Sequence, residues 1–107
     1  VEINVDKFKL NGRVAVLIST GFGAGWSTWN REWPAMLFDP VIVDMVLTGK
    51  DSYEIESVAE LRWPDAYLGG LDGLTVEWIP EGMKFRVMEY DGAESILTVE
   101  DEGWIEA

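Results

Sequence analysis

Five apolar residues in a row, Val14 to Ile18, follow almost directly on Asn11–Gly12. Side chains of a strand alternate between two faces, so an unbroken apolar run of this length reads as a strand buried on both. Asn-Gly is the strongest short signal for a two-residue hairpin turn, because both residues accept positive φ. The preceding segment, "EINVDKFKL", alternates apolar Ile3, Val5, Phe8 and Leu10 with polar neighbours. Its phase breaks near Asp6–Lys7, which reads as a half-buried strand with a bulge. The chain is therefore expected to open with a β-hairpin.

Beyond residue 30, Pro34 and Pro40 punctuate "NREWPAMLFDP", a turn or short helix. Asp39 before Pro40 forms an N-cap and first-turn pair, predicting a helix over "PVIVDMVLTG" that closes near Gly49. Its apolar face would hold Ile42, Val43, Val46 and Leu47. A second helix is expected from Ser52 to Arg62, with Ile55, Val58, Ala59 and Leu61 on the buried side and Pro64 as its stop. "YLGGLDGL" is turn-forming. "LTVEWI", "MKFRVMEY" and "ESILTV" then alternate at period two, separated by "PEG" and "DG", and the terminal "WIEA" could add a short edge strand. The expected fold is one α+β domain over 1–107: an N-terminal β-hairpin, two short helices, and a C-terminal antiparallel three- to four-stranded meander packed as one mixed layer. Strands outnumber the helices available to cover them, which predicts a homo-oligomer.

Two missing residue types remove much chemistry. Without cysteine there are no disulfides, thiolate metal sites or cysteine nucleophiles, and without histidine the commonest general base and metal ligand are gone. A catalyst would rest on Asp, Glu, Tyr, Ser or Lys alone, with Mg²⁺ on carboxylates; the expectation is no enzyme, no cofactor and no metal site. Twenty acidic residues against 8 basic ones leave a net charge of −12, which repels phosphate backbones and anionic membranes and favours basic partners. No apolar run approaches the roughly 18 residues of a membrane span, and no basic segment precedes a signal-like apolar stretch. A cytoplasmic setting is expected.

The least ordinary segment is "STGFGAGWSTWN", residues 19–30. Gly21, Gly23 and Gly25 follow a strand, yet their spacing matches neither the dinucleotide fingerprint nor the phosphate loop. Consecutive unobstructed amides there can form an anion-binding nest. Ser19, Thr20, Ser27 and Thr28 add hydroxyls, and Arg31 adds a charged fork. Trp26, Trp29 and Trp33 would share a face if helical, or wall a pocket if not. The candidate ligand-binding set is Ser19, Thr20, Gly21, Phe22, Gly23, Ala24, Gly25, Trp26, Ser27, Thr28, Trp29, Asn30 and Arg31. The alternative is structural: glycines that let the loop pack tightly on its own tryptophans.

"NGRVAVLISTGFGAGWSTWN" together with "YLGGLDGLTVEWIPEGMKFRVMEYDGAESI" resembles a family of small hypothetical proteins of bacteriophages and prophages. The resemblance covers most of the chain and implies a viral accessory protein in a bacterial cytoplasm, where small acidic proteins counter host defences. It implies no catalytic residues. Two functions are carried forward: a binder of a small anionic or nucleotide-like ligand at the Gly/Trp loop, and an acidic protein whose stretch from Glu77 to Glu106 blocks a basic, nucleic-acid-binding surface of a host protein.

Overall fold

The computed structural model describes residues 6–21, 25–69 and 71–98. Strand β1 (Lys9–Leu10) turns at Asn11 and Gly12, with φ of 52° and 76°, into strand β2 (Arg13–Ser19). These paired positive φ angles are those a primed hairpin turn requires, which is why Asn-Gly stands there. Among the described residues of the first segment, Lys9 and Leu10 pair with β2 and the Phe8 carbonyl accepts from the Ala15 amide at 2.9 Å; Leu10 is exposed. Ile3 and Val5 lie outside the described residues.

Helix α1 (Pro40–Leu47) and helix α2 (Ser52–Arg62) follow two short 3₁₀ turns, Ser27–Trp29 and Pro34–Phe38. Both helices start on an aspartate: Asp39 accepts from the amides of Val41 and Ile42, and Asp51 from that of Glu54. Such caps satisfy amides that have no partner within the helix. A third 3₁₀ turn, Leu71–Gly73, leads into strand β3 (Leu74–Pro80), followed by β4 (Phe85–Tyr90) and β5 (Ala93–Thr98).

The α+β class, the opening hairpin and both helices stand as read, whereas the pairing of the last strands differs. Strand β3 runs antiparallel to β2 along its whole length, from Arg13 opposite Pro80 to Ser19 opposite Leu74, and β4 pairs with β5 in a sheet of their own. There is no continuous meander in one layer. Strand β2 has seven residues and β1 covers only two, so a full-length partner must come from elsewhere, and β3 matches it in length. The chain is then held at the first hairpin: the Glu81 amide donates to the Gly12 carbonyl at 2.9 Å, and the Glu81 carboxylate pairs with Lys9 Nζ at 2.7 Å. That ammonium holds the Glu81 carboxyl below its ordinary value. The proposed "WIEA" strand lies outside the described residues.

Strand β2 is buried on both faces, as its composition requires. Ala15 and Leu17 join Leu74, Val76 and Trp78 of β3 against Ile42, Val43, Ile55 and Ala59 of the helices. Val14, Val16 and Ile18 point the other way and are also buried. Ile18, Glu77 and Ile79 from this second face line one cleft with Glu94, Ile96 and Thr98 of β5. The order is thus helices, three-stranded sheet, β-hairpin. Leu61, expected on the buried side of α2, is 85% exposed. It lies six residues past Ile55, about 1.7 turns, and so leaves the line through Ile55 and Ala59. Leu47, expected on the apolar face of α1, is exposed as the last residue of that helix. Among the described residues no helix is long and apolar enough to cross a membrane.

Asp39 does more than cap α1. Its second oxygen accepts from Arg62 Nε at 2.7 Å and Trp63 Nε1 at 2.8 Å, so one buried carboxylate ties the start of α1 to the end of α2. Asp39→Ala is expected to lower stability by about 2–4 kcal/mol, from the lost cap and the stranded donors. Asp39→Asn keeps the cap oxygen but turns an NH₂ toward two donors, and its loss should be intermediate. Urea unfolding monitored by tryptophan fluorescence reads both; equal stability of Asp39→Asn and wild type would refute the clamp.

Candidate functional site

The Gly/Trp segment leaves β2 at Ser19 and returns through the Ser27–Trp29 turn. Its amides do converge on a negative charge, and that charge belongs to the protein. Glu94, the second residue of β5, is 4% exposed. One of its carboxylate oxygens accepts from the Ser19 amide at 2.8 Å. The other accepts from the amides of Trp26 and Thr28, both at 3.0 Å, and from the Thr28 hydroxyl. Charge-assisted bonds of this kind are roughly twice as strong as neutral ones. They hold a buried carboxylate with donors from three residues of the loop.

Other polar groups of the segment also bond within the chain. The Thr20 amide and hydroxyl both donate to the Gly73 carbonyl, and the Asn30 amide donates to the Ser27 carbonyl. Asn30 is buried: its side-chain NH₂ donates to the carbonyls of Trp26 and Tyr67, and its oxygen accepts from the Tyr67 amide. This amide group staples the loop to the stretch before β3. Arg31 donates through Nε to the Thr28 carbonyl and is exposed. Gly21 is half-buried, and Phe22, Gly23 and Ala24 lie outside the described residues.

The three tryptophans take three environments rather than one face. Trp26 is fully buried in the core, with its indole N–H donating to the Met36 carbonyl at 2.8 Å. Burying such a ring stabilises by about 2–3 kcal/mol. Trp29 is partly exposed and packs on Tyr67, with ring centroids 5.2 Å apart. Trp33 is half-buried at the core margin. Gly25 is explained by the packing of Trp29, because a Cβ there would overlap that ring.

Of the candidate ligand-binding set, Asn30 bonds to the Trp26 carbonyl, and Ser19, Trp26 and Thr28 converge on Glu94, which is outside that set. A signal for it exists: Glu94 alternates in phase with Ile96 and Thr98, which places an acid on the covered face of β5. What remains open on the loop's outer side is a cleft of about 330 Å³ lined by Ser27, Thr28, Arg31, Pro34, Leu37 and Val87. Among the described residues no three carboxylates gather as metal ligands. Asp65 and Asp72 are exposed, and Glu100, Asp101 and Glu102 lie outside the described residues.

Comparison with known proteins adds no assignment: no protein-family model, curated protein or solved structure matches the chain.

Replacing Glu94 by Gln keeps an oxygen toward Trp26 and Thr28 but sets an NH₂ against the Ser19 amide. The expected loss is about 1–3 kcal/mol, and Glu94→Ala should cost more because several buried donors lose their acceptor. Denaturant midpoints give the loss, and amide hydrogen exchange at Trp26 and Thr28 should accelerate with it. Unchanged exchange at both would mean the loop does not rest on Glu94.

Proposed function

We propose that the protein is a non-catalytic interaction module that docks through its acidic exterior on a basic surface of a partner protein. The carrying observation is where its charge lies. Of a net −12, the described residues form just two ion pairs, Lys9–Glu81 and Arg62–Asp39. The helical side carries the exposed acids Asp44, Asp51, Glu54, Glu56, Glu60 and Asp65, with Lys50 and Arg62 as the basic residues among them. A field of one sign steers oppositely charged partners and repels nucleic acid and anionic membrane. The β3–β5 region is more mixed, with Lys84 and Arg86 among its acids. The resemblance to phage and prophage proteins supports a bacterial cytoplasm as the setting, and the acidic charge supports a basic, nucleic-acid-binding surface of a host protein as the partner.

A second reading keeps a small anionic or nucleotide-like ligand, on the strength of the cleft beside Arg31. Ser27 and Arg31 offer donors to an anion there, over an apolar wall of Leu37 and Val87. The inner amides of Ser19, Trp26 and Thr28 are engaged by Glu94, so a ligand would use the outer side of the loop.

Affinity for a captured partner should fall steeply between about 0.1 M and 1 M salt, as ions screen the attraction. Binding that survives molar salt unchanged would exclude charge-driven docking. For the second reading, calorimetry against a nucleotide panel should give heat with wild type and none with Arg31→Ala. No heat from any nucleotide would end it.

A further inference from the structure

Helix α2 is apolar on more than its buried side. Ile55 and Ala59 face the core, whereas Tyr53, Glu56, Ser57, Glu60 and Leu61 fall at i, i+3, i+4, i+7 and i+8 on the outward face. Tyr53 is 81% exposed and Leu61 85%. A solvated helix face ordinarily carries polar residues throughout. Two large apolar side chains set about 12 Å apart along the axis, with carboxylates between them, have the anatomy of anchors within a charged rim. At the Tyr53 end lies a cleft of about 330 Å³, lined by Ser52, Tyr53, Glu56, Leu68, Leu71 and Asp72 among others.

We infer that this outward face of α2 is the docking surface, and that its occupant is a basic amphipathic helix of a partner protein. The inference rests on the interaction-module reading and names its surface. Charge selects the occupant. A partner helix with apolar residues two turns apart matches Tyr53 and Leu61, and Lys or Arg between them meets Glu56 and Glu60. One Arg side chain fits the terminal cleft, where two carboxylates accept its fork and the Tyr53 ring offers a face. A second copy of the chain is disfavoured, because two such faces would set carboxylates against carboxylates.

The test uses the full chain and a synthetic helical peptide with Leu two turns apart and Lys or Arg between, beside a scrambled peptide of equal composition. Fluorescence anisotropy at low salt should give tighter binding of the ordered peptide. Tyr53→Ala/Leu61→Ala, which keeps the charge, should weaken it about tenfold, the loss of a modest hot spot. Glu56→Lys/Glu60→Lys should weaken it further, while Glu32→Lys/Glu77→Lys, with the same change in net charge, should stay within about threefold. Equal losses in the two charge-reversed proteins, or none on removing Tyr53 and Leu61, would overturn the α2 assignment and leave the general acidic reading standing. Failure to bind either peptide would overturn both. Sedimentation revealing a dimer that Tyr53→Ala/Leu61→Ala abolishes would identify a second copy as the occupant and overturn the inference.

Discussion

A strand that is apolar on both faces cannot sit at the surface of a sheet, and β2 is such a strand. Its two faces need two covers, and its hydrogen-bonding edge needs a partner of equal length. The helices supply one cover through Ile42, Val43, Ile55 and Ala59. The β4–β5 hairpin comes against the other, and β3 fills the edge. Had β4 and β5 continued the sheet beyond β3 in one meander, β2 would have kept its partner, but Val14, Val16 and Ile18 would have lost their cover. Burying five consecutive apolar residues, at about 1.5–3 kcal/mol for each larger one, outweighs the local convenience of consecutive pairing.

Bringing the hairpin to β2 also brings a carboxylate into the interior, and the Gly/Trp loop is arranged around it. Three buried polar side chains now carry long-range specificity. Glu94 joins β5 to the loop, Asp39 joins the two helices, and Asn30 joins the loop to Tyr67. Each accepts or donates several bonds from segments distant in sequence. Among the described residues no buried side-chain nitrogen or oxygen is left without a partner. A buried donor that lost its acceptor would cost about 1–3 kcal/mol, so these groups penalise alternative packings as well as holding the native one.

Acidic residues thus divide by place into two kinds. Inside, Glu94 and Asp39 are surrounded by N–H donors and serve the fold. Outside, the carboxylates along α2 stand in solvent beside exposed Tyr53 and Leu61. The Gly/Trp segment, conspicuous as sequence, spends most of its described amides on its own scaffold, while among the described residues Thr20, Trp29 and Arg31 face solvent.

Local signals were legible wherever neighbouring residues decide the outcome. Asn11–Gly12 demanded a primed turn, Asp39–Pro40 started α1, Ser52–Arg62 formed α2, and Val14–Ile18 went into the interior, because turns, caps and periodicity act over a few residues. The loop amides read as a nest for an outside anion instead serve the chain's own Glu94. Which anion, which strand pairs with β2, and which side of α2 holds Leu61 were decided by the tertiary structure. Those answers depend on contacts across as many as 75 residues, such as Ser19 with Glu94. A strand edge or an amide nest specifies what kind of partner it needs; only the packed chain determines which residue arrives there.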